Sequence, residues 1–249
     1  MRKWGIPTAL ALVSIGAYAW FFWFQTLMLI EMHYSYRHIP IAHMTPVQLS
    51  DHRIDSDGGT KLSFYGYDFE VPWKDIDTEH TQSKGLILIP FRSGLEIIVG
   101  HGSSHMLVDT VMENTKTDRG DFRAAYGAPV LQSDYEFLKL ALNVTPASVR
   151  LADSKQEVAR KSSLVLIKTL IAAGDSGIFE VQANGFRGFQ YGNPGNHPKR
   201  ITVTLCSADG EVEFSFSRKG MTPLAISQAE INRVIQTVRY KSEVETAQK

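Results

Sequence analysis

Residues 201–216 read ITVTLCSADGEVEFSF, and this stretch decides the class of fold. Apolar and polar residues alternate strictly in 201–205 and again in 212–216, which is the period of a β-strand that buries one face. Ala208-Asp209-Gly210 supplies the turn between the two runs. The pattern predicts an antiparallel hairpin with one apolar face and one polar, water-facing side.

Regular elements are also predicted on both sides of this hairpin. After it, Ser227–Glu230 is a capping box, and an apolar stripe follows at helical spacing, so a helix is expected there. Before it, residues 177–183 and 185–191 are rich in β-forming residues and predict two strands. A further strand is predicted over 62–71, where apolar residues recur along the run.

Three helices are predicted in the middle of the chain. The first covers 106–114 and takes Ser103 or Ser104 as its N-cap. The second follows the capping-box pattern that begins at Ser133, and the third runs over 153–173 before Gly174. Residues 86–91 and 95–99 form a second predicted hairpin ahead of these helices.

The order of elements is therefore strands, helices, strands and a helix. Segregated runs of this kind predict an α+β domain, with an antiparallel sheet flanked by helices, over residues 61–240. The order is similar to that of the PsbP-like sandwich, in which helices flank a central antiparallel sheet. This resemblance concerns the fold alone, because no motif is shared, and it implies nothing about function.

The N-terminus carries the strongest compositional signal in the chain. The 27 residues from Trp4 to Ile30 contain no charge, and a helix needs about 20 mainly apolar residues to cross a bilayer. We predict a transmembrane signal-anchor helix over 1–31, with the lipid bilayer as its partner through residues 4–30. Arg2 and Lys3 precede the run and place the N-terminus in the cytoplasm, so the domain is expected outside it, in the periplasm or the extracellular space.

A cleaved signal peptide is the alternative interpretation of this segment. Ala17-Tyr18-Ala19 matches a cleavage site. Cleavage there would leave a strongly apolar mature N-terminus beginning at Trp20. Residues 32–60 are more polar, with Pro40 and Pro46, and are predicted to be a juxtamembrane stalk or linker. Residues 241–249 are predicted to be a flexible tail.

Charge and cysteine content exclude several classes of function. The chain has 26 basic and 26 acidic residues, and removing the two basic residues before the anchor leaves the rest at about −2. A nucleic-acid partner is disfavoured, because the basic residues form no run or stripe. The single cysteine, Cys206, excludes an internal disulfide framework and is interpreted as a packed thiol. No motif predicts a cofactor.

Gly100-His101-Gly102-Ser103-Ser104-His105 is the first of two candidate ligand-binding segments. Serine beside histidine at a strand-to-helix turn is typical of nucleophilic hydrolases, but the G-x-S-x-G spacing is absent. The two histidines are four residues apart, as in helical zinc sites, yet the glutamate of H-E-x-x-H is missing. We therefore assign no catalytic residue and no metal ligand, and predict ligand contacts from His101, Ser103, Ser104 and His105.

Gly185-Phe186-Arg187-Gly188-Phe189-Gln190-Tyr191-Gly192 is the second candidate segment. Its glycine spacing matches neither a phosphate loop nor a dinucleotide fingerprint. Aromatic residues that alternate with polar ones are typical of a groove, and ordinary strand packing explains the same letters. We predict ligand contacts from Arg187, Gln190 and Tyr191.

Two hypotheses of function follow. The first is a single-pass membrane-anchored protein whose extracytoplasmic domain binds a protein or small ligand, with a role in envelope maintenance or assembly. The second is a membrane-tethered hydrolase or metal-dependent enzyme that uses the Gly100–His105 loop. The absence of a complete catalytic motif favours the first.

Overall fold

The computed structural model of the protein describes residues 23–50, 53–54, 58–79, 81–83, 86–172 and 177–241, and has a mixed α+β fold with a large sheet flanked by helices. The strands are β1 Val47–Gln48, β2 Thr60–Phe64, β3 Tyr67–Val71, β4 Gln82–Ser83, β5 Ile87–Pro90, β6 Leu95–Gly102, β7 Ile178–Ala183, β8 Phe186–Tyr191, β9 Arg200–Cys206, β10 Glu211–Arg218 and β11 Arg239–Tyr240. The helices are α1 at 23–36, α2 Pro40–His43, α3 Met106–Thr115, α4 Arg119–Tyr126, α5 Asp134–Asn143, α6 Lys155–Ile171 and α7 Gln228–Thr237.

The large sheet has eight strands in the order β1-β7-β8-β9-β10-β6-β5-β4. Among the described strands every neighbouring pair is antiparallel except β1 with β7, which is parallel. Both edge strands, β1 and β4, are only two residues long. A second sheet has the order β11-β3-β2.

The hairpin predicted from residues 201–216 is confirmed. Strands β9 and β10 pair antiparallel with Leu205 opposite Val212, and the apolar set of both strands is fully buried in the main core. Its other face is polar, as predicted, but Thr202, Thr204, Ser215 and Ser217 are at most 9% exposed. The predicted β5–β6 hairpin and the β7 and β8 strands are confirmed as well.

The single strand predicted over 62–71 is two strands in the structure. Tyr65 and Gly66 turn the chain with positive φ angles of 53° and 78°, which matches the two-residue turn that suits the twist of a hairpin. The apolar positions change from even to odd numbers at this turn, because the chain reverses there. Phe69 of β3 then packs edge-on against Phe214 of β10, with ring centroids 5.0 Å apart.

The two faces of the large sheet have different covers. The small sheet and α7 pack on the face that carries Val203 and Phe214. The helices α3 to α6 lie on the other side, where Leu138 and Leu142 of α5 contact Phe189 of β8. Helix α7 begins with the predicted capping box, in which Ser227 and Glu230 exchange hydrogen bonds.

Lys168 joins three helices at one buried point. Its side chain is 0% exposed, and its Nζ donates hydrogen bonds to the carbonyl oxygens of Ala42, Met44 and Val144. These carbonyls lie in the last turn or at the C-cap of α2 and at the C-cap of α5, where backbone acceptors lack helical partners. Burial lowers the pKa of Lys168 to about 8.

The segment predicted as a stalk over 32–60 is packed against the domain in part. Met32, Ile41 and Ala42 are at most 2% exposed and belong to two hydrophobic clusters. The physical reason is that α2 presents Ile41 and Ala42 to the domain while Pro40, at its first turn, does not interrupt it. Strand β1 in the same range joins the large sheet.

Helix α1 has one face on the domain and one face exposed. Met28, Leu29 and Met32 pack in the cluster that also contains Val158 and Val165 of α6. Most of the predicted anchor, residues 1–22, lies outside the described residues, as do residues 242–249 of the predicted tail. Within the described part of the chain, no helix combines the length and apolar composition that a bilayer crossing requires.

Candidate functional site

A polar cleft of about 340 Å³ brings the two predicted ligand-binding segments together. Ser104 and His105 reach it from the β6–α3 connection, and Arg187 reaches it from β8. The first turn of α5 and the end of β9 complete its wall. This volume lies within the range of small-molecule pockets in proteins.

Asp134 holds the β6–α3 connection against α5. Its backbone N–H donates to the Ser104 carbonyl at 3.0 Å, and its carboxylate accepts the backbone N–H groups of Leu107 at 2.8 Å and Val108 at 2.9 Å. The predicted N-cap at Ser103 or Ser104 is therefore wrong. Helix α3 follows His105, whose side chain makes no cap, and a carboxylate from another helix caps it instead.

Arg187 is the main cation of the cleft. Its guanidinium lies over the ring of Tyr135, 4.3 Å from the centroid, and its Nη2 is 3.6 Å from Glu136 Oε1. The side chain remains 53% exposed, so this ion pair contributes little to stability. The guanidinium can therefore exchange Glu136 for a ligand anion at small cost.

Tyr135 forms a rigid platform beneath Arg187. It stacks on Phe189 with centroids 5.5 Å apart and an interplanar angle of 14°, and its hydroxyl donates to Glu180. Burial and this hydrogen bond raise the pKa of Tyr135. The ring is held between Phe189 and Arg187, so it positions the guanidinium and does not itself stack on a ligand.

A buried thiol lines the cleft and contacts a buried carboxyl that does not line it. Cys206 is 4% exposed and Glu211 is 7% exposed, and their Sγ and Oε2 atoms are 3.6 Å apart. Burial, reinforced by the nearby Asp134 carboxylate, raises the pKa of Glu211 to about 8. Burial likewise raises the pKa of the Cys206 thiol. Both shifts favour the protonated, uncharged forms, which suit hydrogen bonding and not nucleophilic attack.

The histidine pair of the first segment is separated by the fold. His101 follows Val99 by two residues on β6, so both lie on the same face of the sheet, and its ring is 4.0 Å from that of Tyr65. His105 lines the cleft on the other side. Ser103 is exposed, and its carbonyl accepts the Met106 N–H. Neither His101 nor Ser103 lines the cleft, and among the described residues no group of three or more His, Cys, Asp or Glu could hold a metal ion.

Gln190 and Tyr191 of the second segment are packed inside the protein. Gln190 is 0% exposed and exchanges hydrogen bonds of 2.8 and 2.9 Å with Gln228 of α7. Gln228 continues to Asn232, so this chain of amides ties α7 to the sheet. Tyr191 is 1% exposed within the cluster that contains Phe189. Both side chains therefore support the fold and do not reach the cleft.

Most of the residues that line the cleft, and the buried Glu211 next to Cys206, were not predicted as ligand contacts. Tyr135 and Glu136 were interpreted only as part of a helix start, and Glu211 only as a member of a polar strand face. The alternation at Glu211 did indicate an orientation opposite to Val212, but it could not indicate burial. No local pattern signals that α5 packs over β8 and β9.

Comparison with known proteins adds no relative: no family model, no curated protein and no solved structure matches the chain. The similarity of the element order to the PsbP-like sandwich therefore stays a prediction.

Proposed function

We propose that the protein is a single-pass membrane-anchored protein whose extracytoplasmic domain binds a small anionic ligand in the cleft at Arg187. The observation that carries the proposal is the convergence of Ser104, His105 and Arg187 on one cleft from two distant segments. The anchor rests on the uncharged run that begins at Trp4, of which residues 23–30 already belong to α1 on the domain. Arg2 and Lys3 before this run favour an N-terminus in the cytoplasm. A role in envelope maintenance or assembly agrees with this location.

The chemistry of the cleft favours a carboxylate as the bound group. Arg187 offers a planar set of donors that match a carboxylate, and it is only loosely paired with Glu136. Ser104 and Ser133 line the same cleft, and their hydroxyl groups can donate further hydrogen bonds.

A membrane-tethered hydrolase or metal-dependent enzyme has less support. Its candidate residues His101, Ser103 and His105 do not share one site. A nucleophile also needs a base within hydrogen-bond reach, and no hydrogen bond joins these described side chains.

The ligand proposal is tested with the full-length protein in detergent micelles. Thermal unfolding is recorded with a panel of small carboxylates that includes succinate and glutamate, and affinities are measured for any that stabilise the protein. We expect Arg187→Ala to weaken binding about tenfold or more, since one charge-assisted carboxylate contact is worth about 1.5–3 kcal/mol. Arg200→Ala is the matched control, because Arg200 is exposed on β9 and does not line the cleft.

Two results would count against the ligand proposal. One is a panel in which no carboxylate stabilises the wild-type protein. The other is equal binding by wild type and Arg187→Ala. The anchor is tested separately by extraction of membranes with alkaline carbonate, from which the full-length protein should remain in the pellet. Release into the supernatant would overturn the membrane anchor.

A further inference from the structure

Helix α1 carries an unusual apolar surface for a helix that is packed on a domain. Trp23, Leu27, Ile30 and Tyr34 are 52%, 55%, 60% and 68% exposed. Their spacing of four, three and four residues places all of them on one side of the helix, opposite Met32, which is 2% exposed. We call these four residues the outward stripe.

An open groove of about 490 Å³ continues the outward stripe toward the domain. Leu29, Ile30, Tyr34 and Leu151 give it a mainly apolar lining. Arg37 and His33 are the basic side chains that line it, and no carboxylate lines it. Arg37 lies over the Tyr34 ring, 4.6 Å from the centroid. The groove is thus apolar with a basic end, while the exposed Glu31 flanks the outward stripe on the side away from the groove.

The position of the outward stripe in the chain points to the occupant. Residues 4–22 directly precede it and carry no charge. As a helix, these 19 residues would cover about 29 Å, which matches the hydrocarbon core of about 30 Å. The bilayer surface would then lie beside Trp23, at the start of the stripe. Trp and Tyr are the residues enriched at that depth.

We infer that the outward stripe and its groove contact the bilayer, so that the domain is seated directly on the membrane surface through α1. This inference rests on the proposed membrane anchor. The apolar stripe lies at the boundary between headgroups and acyl chains, and Arg37 and His33 face anionic headgroups. The inward face of α1 stays packed on the domain, so no flexible spacer separates the domain from the lipid.

The test uses the full-length chain in vesicles of phosphatidylcholine and phosphatidylglycerol. A single cysteine is introduced by Leu27→Cys or by Ile30→Cys and labelled with a fluorophore that reports its environment. Ser35→Cys is the matched control, because Ser35 is exposed on α1 and lies about 100° from the centre of the stripe. The wild-type chain is the labelling blank, since its only cysteine, Cys206, is buried.

Labels on the stripe should be quenched by doxyl-labelled lipid about twofold or more beyond the Ser35 label, and they should be protected from aqueous iodide. Equal quenching by iodide at all three sites, in vesicles that retain the protein after a carbonate wash, would contradict the contact between the outward stripe and the bilayer. That result would not contradict the membrane anchor. Loss of the protein in that wash would overturn both. Disulfide-linked dimers of the unlabelled Leu27→Cys variant, together with labels that are shielded from both quenchers in the labelled variants, would show that a second copy covers the stripe and would overturn the lipid contact.

Discussion

At the scale of single residues, Lys168 is the clearest case of a polar group that organises its surroundings. Its ammonium group donates hydrogen bonds to backbone carbonyl groups at the C-terminal ends of α2 and α5, which have no helical partners there. Its position in the apolar stripe of α6 gives no hint of this role, because a lysine there reads as an exposed residue. The partners come from segments 24 and more than 120 residues away.

We expect Lys168→Met to lower the free energy of unfolding by about 3 kcal/mol at pH 7, since it leaves buried carbonyl groups without a donor. Lys155→Met is the control, because Lys155 is exposed at the start of the same helix. Chemical denaturation of both variants measures the difference. An equal decrease in the free energy of unfolding of the two variants would contradict the role assigned to Lys168.

The difference in the free energy of unfolding between the wild type and Lys168→Met should depend on pH. The pKa of Lys168 is about 8 in the folded protein and 10.5 by its ordinary value, so between these values the unfolded chain binds the proton more tightly. The stability of the wild type should therefore rise, relative to Lys168→Met, as the pH increases from 8 toward 10.5. A difference that stays constant over that range would exclude the lowered pKa.

At the scale of elements, strict local sequence patterns were sufficient to predict single hairpins and helix starts. They did not predict the tertiary contacts between elements. The β9–β10 hairpin and the α7 capping box follow from neighbouring residues alone. Helix α4 was not predicted, although Asp118 caps it through the Asp121 N–H. The cap of α3 by Asp134 depends on how two helices pack, which spacing in the chain does not encode.

This shared cap leads to a local prediction. We expect Asp134→Ala to free the first turn of α3, because two backbone donors lose their acceptor at a cost of about 2 kcal/mol. Hydrogen exchange at the Leu107 and Val108 amides should accelerate, and ligand affinity should fall with the displacement of His105. Glu113→Ala, at an exposed position in the last turn of α3, should leave both unchanged. Unaltered exchange in Asp134→Ala would refute the cap.

At the scale of the whole molecule, the sequence predicted the composition of the fold better than its boundaries. The α+β class followed from the order of patterns, whereas the polar composition of 32–60 concealed that Met32 and Ile41 are core residues. For the candidate site, the types of residue identified Ser104, His105 and Arg187. Their neighbours Tyr135 and Glu136 depend on the packing of α5 over the sheet.

The docking of α1 predicts how the chain tolerates truncation. A chain that begins at residue 23 should unfold at the temperature of the full-length protein in detergent. A chain that begins at residue 39 loses the buried contacts of Met32 and its neighbours, worth about 3–5 kcal/mol, and should unfold about 10 °C lower. Leu27→Ser, on the exposed side of α1, is the control and should match the longer chain. Equal unfolding temperatures for both truncations would show that α1 contributes nothing to stability.

The short edge strands of the large sheet, β1 and β4, affect how the protein can associate with copies of itself. Concentrated molecules meet each other often, and a long open strand edge would allow them to pair strand to strand into fibres. Here β1 and β4 offer so few free backbone groups that such growth has little to begin from. Growth of fibres through the edges of the large sheet is therefore disfavoured when the protein is concentrated.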